Sequence, residues 1–386
     1  MVNARFLFVA FASIMMAKNT QAQGCVAVRH MACAGMAQYG QNAFQATPWQ
    51  ANIGYRYFNS YKHFVGDHEQ TQRVDSGTQV INDNHSFDLG LSYQVNPRLS
   101  LAVNLPYSFN YRSSLYEHYG NSLSANPNHQ RFSTEAHGIG DARVSGSLWL
   151  LNLERFVHGN FSLGLGLKLP TGNAGATDYF HRKTASGSDS VIIRPVDQSI
   201  QLGDGGWGIN LESQGFLLLP KHFSLFYNGF YLFNPRTINH VPRSGTISGT
   251  PTGSLTDFFS VPDQFMFRGG IDTDLPKGIT ASLGGRLEGI PAYDALGGSS
   301  GFRRPGYIVS VEPGATFRHG LWSLNASLPV AMYRNRIKSF ADDRLGKHGD
   351  AAFADYLVNV NISRSFSNKP ASQGPSLPIL SPKMGL

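Results

Sequence analysis

Nowhere in the 386 residues does an uninterrupted apolar stretch reach the ~18 residues that a membrane-crossing helix needs, and that excludes a helical membrane protein. Charge is also scarce. Asp, Glu, Lys and Arg together make up 15% of the chain, against roughly 25% in an ordinary soluble domain, so a plain soluble globule fits poorly. The two cysteines, Cys25 and Cys33, are too few for a thiolate metal site and lack the Cys-x-x-Cys-His spacing of covalent haem. Their proximity leads us to expect a local disulfide between them. No dense Lys/Arg run occurs, and the formal charge of +7 falls to +5 once Arg5 and Lys18 leave with the leader described next, so a nucleic-acid footprint is excluded. Histidines such as His63, His68, His118, His129, His137 and His240 fall in no recognised ligand spacing, and neither metal nor cofactor is expected.

What is present begins with a leader. Arg5 precedes an uncharged, largely apolar run from Phe6 to Ala17, and small residues follow at Thr20 and Ala22, the layout of a secretory signal peptide cleaved after Ala22. Gln23 ahead of Gly24, with no leucine in the expected place, argues against lipid attachment at Cys25. Residues 1–22 are therefore assigned to export, 23–48 to a periplasmic segment able to fold inward as a plug, 49–366 to the folded body and 367–386 to a Pro-rich periplasmic tail.

The body is rich in 42 Gly and 12% aromatic residues, and its apolar residues recur with a period of two. Phe161, Leu163, Leu165, Leu167 and Leu169 alternate with Ser162, Gly164, Gly166 and Lys168, a pattern that no helix of period 3.6 could use. Eleven further segments behave similarly: Trp49 to Phe58, Phe87 to Val95, Leu99 to Leu105, Asp141 to Leu150, Gly206 to Leu218, Phe223 to Leu232, Gln264 to Thr273, Ile279 to Glu288, Tyr307 to Phe317, Trp322 to Met332 and Ala354 to Phe366. Short links such as Asn96 to Arg98 and Pro220 to His222 alternate with long ones such as Ser108 to Gly138 and Pro170 to Gly205. Both signatures belong to an all-β outer-membrane barrel of about twelve antiparallel strands, with short periplasmic turns and long extracellular loops, in a Gram-negative bacterium. The aromatic residue closing the last strand, Phe366, resembles the signal read by barrel-assembly machinery, which is expected as a partner alongside outer-membrane lipids.

Three segments, Gly138-Ile139-Gly140-Asp141, Gly164 to Gly172 (Gly-Leu-Gly-Leu-Lys-Leu-Pro-Thr-Gly) and Gly203-Asp204-Gly205-Gly206-Trp207, resemble the outer-membrane transporter family labelled meta-pathway phenol degradation proteins. The resemblance covers the middle third of the chain. It implies a channel linked to uptake of aromatic or other hydrophobic compounds and assigns no reaction.

Residues on the polar face of the alternation are the candidate pore lining: Arg56, Asp88, Asp141, Arg143, Trp149, Lys168, Glu212, Phe226, Phe230, Arg268, Arg286 and Glu312. Asp141, Lys168 and Asp204 are expected to meet near the extracellular mouth. The two signs nearly balance, which suits salt-bridged links across the lumen better than an ion-selective path. Inward Gly54, Gly90, Ala102, Gly164, Gly166 and Gly284 are expected to leave open space. Catalysis is not expected, since His158 and Ser162 fall at a periplasmic turn and in the lumen. The leading reading is a passive channel for small solutes, and the alternative is a barrel that binds another molecule through its long loops.

Overall fold

The computed structural model describes residues 23–24, 48–152, 155–243 and 253–366. The leader, the Cys25 and Cys33 pair, nearly all of the 23–48 segment and the 367–386 tail lie outside the described residues, although Gln23 and Gly24 pair with Ala354 and Phe353.

Twelve staves close into one antiparallel barrel. In chain order they are Trp49–Val65, Ile81–Gln94, Leu99–Ser114, Phe132–Ile139 continued by Arg143–Trp149, Gly159–Lys168, Gly208–Leu218, Phe223–Phe233, Gln264–Leu275, Ile279–Ile290, Gly306–His319, Trp322–Ser327 continued by Val330–Asn335, and Ala351–Ala354 continued by Val358–Phe366. Each hydrogen-bonds to its sequence neighbours, and the first and last join at Trp49↔Phe366 through Tyr57↔Val358. Among the described residues the ring of staves has no open sheet edge, which suits a backbone facing hydrocarbon.

The alternation decides which face meets lipid. Leu163, Leu165 and Leu167 are 46%, 63% and 50% exposed on the outer wall, whereas Ser162 and Lys168 on either side of them are each 1% exposed inside. Aromatic rings gather near both ends of this apolar belt. Trp49 packs on Tyr93 at 4.6 Å near the short turns, and Tyr55, Phe87 and Phe109 form the opposite rim. Trp49 and Tyr57 are eight residues apart on one strand, about 26 Å along it at ~3.3 Å per residue, or roughly 20 Å of height at the ~40° tilt usual for such strands.

Several staves run past the alternation. The first continues from Phe58 to Val65, the second starts at Ile81 and the third continues to Ser114. These extensions stand above the lipid-facing belt: Asp83 accepts from Tyr57 and Asn59 at 3.1 Å on one face, while on the other Phe64 packs into a small buried cluster with Ile308 and Phe353. Two predicted long loops also contain hairpins, Thr177–Lys183 with Asp189–Pro195 and Ile238–Pro242 with Phe258–Ser260. Pro329, which lacks an N–H, accompanies the break in the eleventh stave.

The inward glycines do not leave the space expected of them. A Cβ at Gly90 would lie 2.2 Å from Asn52 Oδ1 and 2.6 Å from Asn104 Oδ1, and one at Gly284 would lie 2.8 Å from the Gly269 carbonyl oxygen. Their role is close packing: long side chains from neighbouring staves fill the room that the missing Cβ concedes.

Candidate functional site

The three glycine-rich segments converge at the long-loop end of the barrel. Gly138 adopts φ 147°, a conformation that L side chains rarely take, just before the fourth stave breaks at residues 140–142. Side chains replace the missing ladder there. Thr171 Oγ1 donates to the Gly140 carbonyl at 2.7 Å and accepts from the Ala142 amide at 2.8 Å, while Asp141 accepts from the amides of Gly172 at 3.0 Å and Asp204 at 3.1 Å. Gly172 and Gly203 must both be glycine because their backbones touch; a Cβ on Gly172 would sit 2.8 Å from Gly203 Cα. Lys168, buried below this crossing, donates to the Asp204 carboxylate and lies 3.9 Å from Asp141.

Beneath the crossing is a lumenal cavity of about 100 Å³. Arg56, Asp88, Arg143 and Lys168 supply its charged walls, and Phe58, Phe259 and Ile290 its apolar ones. A charged network fills the opposite wall of the lumen. Arg268 donates to Glu312 at 2.8 Å, Arg286 donates to Glu288 at 2.8 Å and reaches Glu312 at 3.7 Å, and Ser327 adds a hydrogen bond to Glu312 at 2.8 Å. Glu212 is held by Asn210.

The predicted aromatic residues are inward but do not line the cavity. Trp149 packs edge-on against Phe216, 5.8 Å away, near the short-turn end; Phe230 stands opposite Met266; and Phe226 borders a gap of about 10 Å³ beside Arg268 and Glu312. All three are buried against neighbouring staves because the lumen is narrow enough for side chains to fill it. His158 is exposed at its turn while Ser162 is buried in the lumen, so the two make no pair.

Sequence reasoning missed the cap. The loop between Lys168 and Gly208 turns inward at Gln198–Ile200, and Asp197 at its start accepts from the Ser199 amide at 2.9 Å. Arg304, from the loop before the tenth stave, donates twice to Asp197 at 2.8 Å. Arg112, at the top of the third stave, lies 3.6 Å from Asp197, donates to Glu117 at 2.9 Å and to Asn82 at 3.0 Å. Burial alone would raise the Asp197 carboxyl, but the guanidiniums of Arg112 and Arg304 outweigh it and hold the group well below the usual carboxylate range. Burial also pushes the nearby His118 imidazole down to about 4, so it is neutral at pH 7. Only the adjacent Arg303-Arg304 pair hinted at this cluster in the sequence, because capping loops have no period.

Closed staves, an apolar outer wall and a polar interior together decide the class. The chain is an outer-membrane β-barrel. An outer-membrane channel from Pseudomonas putida F1 superposes with a TM-score of 0.54 at 13% identity, covering 87% of this chain and all of that one. The likeness is one of fold. The P. putida toluene transporter TodX, at 10% identity, covers 86% of this chain and 93% of its own, and the translocator domain of the autotransporter NalP from Neisseria meningitidis, at 11%, covers 84% and 92%. These two superpose less closely, with TM-scores of 0.41 and 0.39, and bear on neither strand count nor function. No protein-family model matches the sequence, and no curated protein matches it.

Proposed function

We propose that the protein is a passive channel of the outer membrane for small solutes, mildly hydrophobic or aromatic compounds among them, and not an enzyme. One observation carries the reading: a polar, charge-balanced lumen holds a cavity whose walls mix guanidinium and carboxylate groups with Phe58, Phe259 and Ile290. Such a lining suits a solute with an apolar body and a polar end. Arg56, Asp88, Asp141, Arg143 and Lys168 would form the contact surface, and Glu212, Arg268, Arg286 and Glu312 would set the electrostatics beside it. The aromatic preference rests on the glycine-rich motifs and these apolar walls; Trp149, Phe226 and Phe230 would act through packing.

The cavity is small, so currents through single refolded molecules in planar bilayers should be low, and aromatic acids should reduce them. Folded protein that passes no current, with or without residues 23–45, would shift the reading to surface binding. That alternative has its own support: the Thr177–Lys183 and Asp189–Pro195 hairpin exposes Tyr179, Val191 and Ile193 beyond the barrel.

A further inference from the structure

Three side chains that wall the lumenal cavity are short of hydrogen bonds. Arg143, Ser260 and Gln264 line it, and each is more than nine-tenths buried, at 8%, 1% and 5% exposure. Each carries a polar atom with no hydrogen-bond partner among the described residues: Nη1 of Arg143, Oγ of Ser260 and Oε1 of Gln264. Buried polar groups in folded proteins are nearly always satisfied, so three such atoms around one cavity call for an explanation. They come from separate elements, the fourth stave, the Phe258–Ser260 strand and the start of the eighth stave, so one local misfit does not account for them.

Their chemistry restricts what could satisfy them. Nη1 only donates and needs an acceptor, Oε1 only accepts and needs a donor, and Oγ takes either. A carboxylate would serve the first and fail the second. A hydroxyl group serves all three, because it donates one hydrogen bond and can accept two.

The rest of the wall agrees. Five Asn, three Gln and four Ser stand among its 27 lining residues, and these side chains both donate and accept. Its charges cancel: Lys168 faces Asp204 and Asp141, Arg304 is bound to Asp197, and Asp88 answers Arg56 and Arg143. An anion therefore gains nothing from the local field. Phe58 and Phe259 offer ring faces, whose negative quadrupole attracts the C–H groups of a short carbon chain. A volume of about 100 Å³ limits the occupant to a small molecule.

We infer that this cavity is a binding site for short neutral polyols, whose hydroxyl groups complete the hydrogen bonding of Arg143, Ser260 and Gln264. The inference narrows the channel reading to one class of solute that lingers in the lumen; it rests on that reading for its purpose, and on the cavity alone for its existence.

The test is a saturation-transfer NMR titration of the full-length folded protein in detergent with three probes. Erythritol is the polyol, 1-butanol keeps its carbon chain with a single hydroxyl, and erythronate carries a carboxylate at one end. Erythritol should bind saturably and about tenfold or more tightly than 1-butanol, the difference expected for two further hydrogen bonds, and erythronate should also bind more weakly. Gln264→Met should weaken erythritol by about fivefold, the loss of one hydrogen bond. Ser260→Ala should weaken it to a similar degree; it removes a hydroxyl that bonds nothing in the fold, and so serves if the first variant fails to fold. No erythritol binding, 1-butanol or erythronate binding as tightly, or erythritol binding untouched in the folded variants would overturn the site. Solute-driven swelling of lipid vesicles separates this outcome from the channel reading. Protein that binds erythritol but passes no solute keeps the site and loses the channel, and protein that passes solutes without binding erythritol does the reverse.

Discussion

Lys168 is 1% exposed, and the charge it carries inside the barrel wall is tolerable only because Asp204 and Asp141 face it. Removing the cation leaves two carboxylates close together with only backbone amides bonded to them. Breaking one side of a buried pair costs about 3–5 kcal/mol, whereas replacing both partners by apolar groups of similar volume is often neutral. Lys168→Met should therefore lower unfolding stability in lipid vesicles by about that amount, and Lys168→Met with Asp204→Leu should recover part of the loss. If the double variant were no more stable than the single one, the network would not be acting as a charge-matched unit. Gly172 and Gly203 belong to the same argument, since their backbone contact brings the loop carrying Asp204 down onto Lys168.

At the scale of elements, the cap is a loop tied to the barrel by Asp197. Its carboxyl titrates below the ordinary value of about 3.9, so the tie is complete at pH values above that and weakens only as acid approaches the lower, folded value. Single-channel currents should accordingly show no cap opening between pH 5 and 8, a range over which His118 also stays neutral. Asp197→Asn, which keeps the shape and discards the charge, should raise the current throughout that range. An unchanged current would mean that the constriction lies elsewhere. The alternation in segments such as Phe161 to Leu169 made the twelve staves legible in the sequence because lipid and lumen impose opposite demands on adjacent residues. That contrast vanishes above the belt, and for this reason the extensions to Val65 and Ser114 and the Thr177–Lys183 hairpin escaped it. The meeting of Asp141, Lys168 and Asp204 was legible from strand-end glycines, whereas Arg304 on Asp197 joins two aperiodic loops 107 residues apart and left no pattern.

Across the whole molecule, the interior is a charge-compensated packing with a small void, and for the proposed channel selectivity would follow from how complete the compensation is. Glu312 and Glu288 together balance Arg268 and Arg286, so Glu312→Gln would leave mid-lumen positive. Under a potassium chloride gradient the wild type should show little ion preference, and the variant's reversal potential should move towards that of chloride. A shift towards potassium, or none in a conducting variant, would place the permeation path away from this network.

The seam between Trp49–Val65 and the final stave has a further consequence, for biogenesis. Every other joint links sequence neighbours and can form as a local hairpin, but this one unites the two ends of the body and has by far the highest contact order in the molecule. Ring closure must therefore await delivery of Phe366. Until then the growing sheet keeps two open margins, and a chain truncated before Ala351 would retain them permanently, as a template for pairing with another copy.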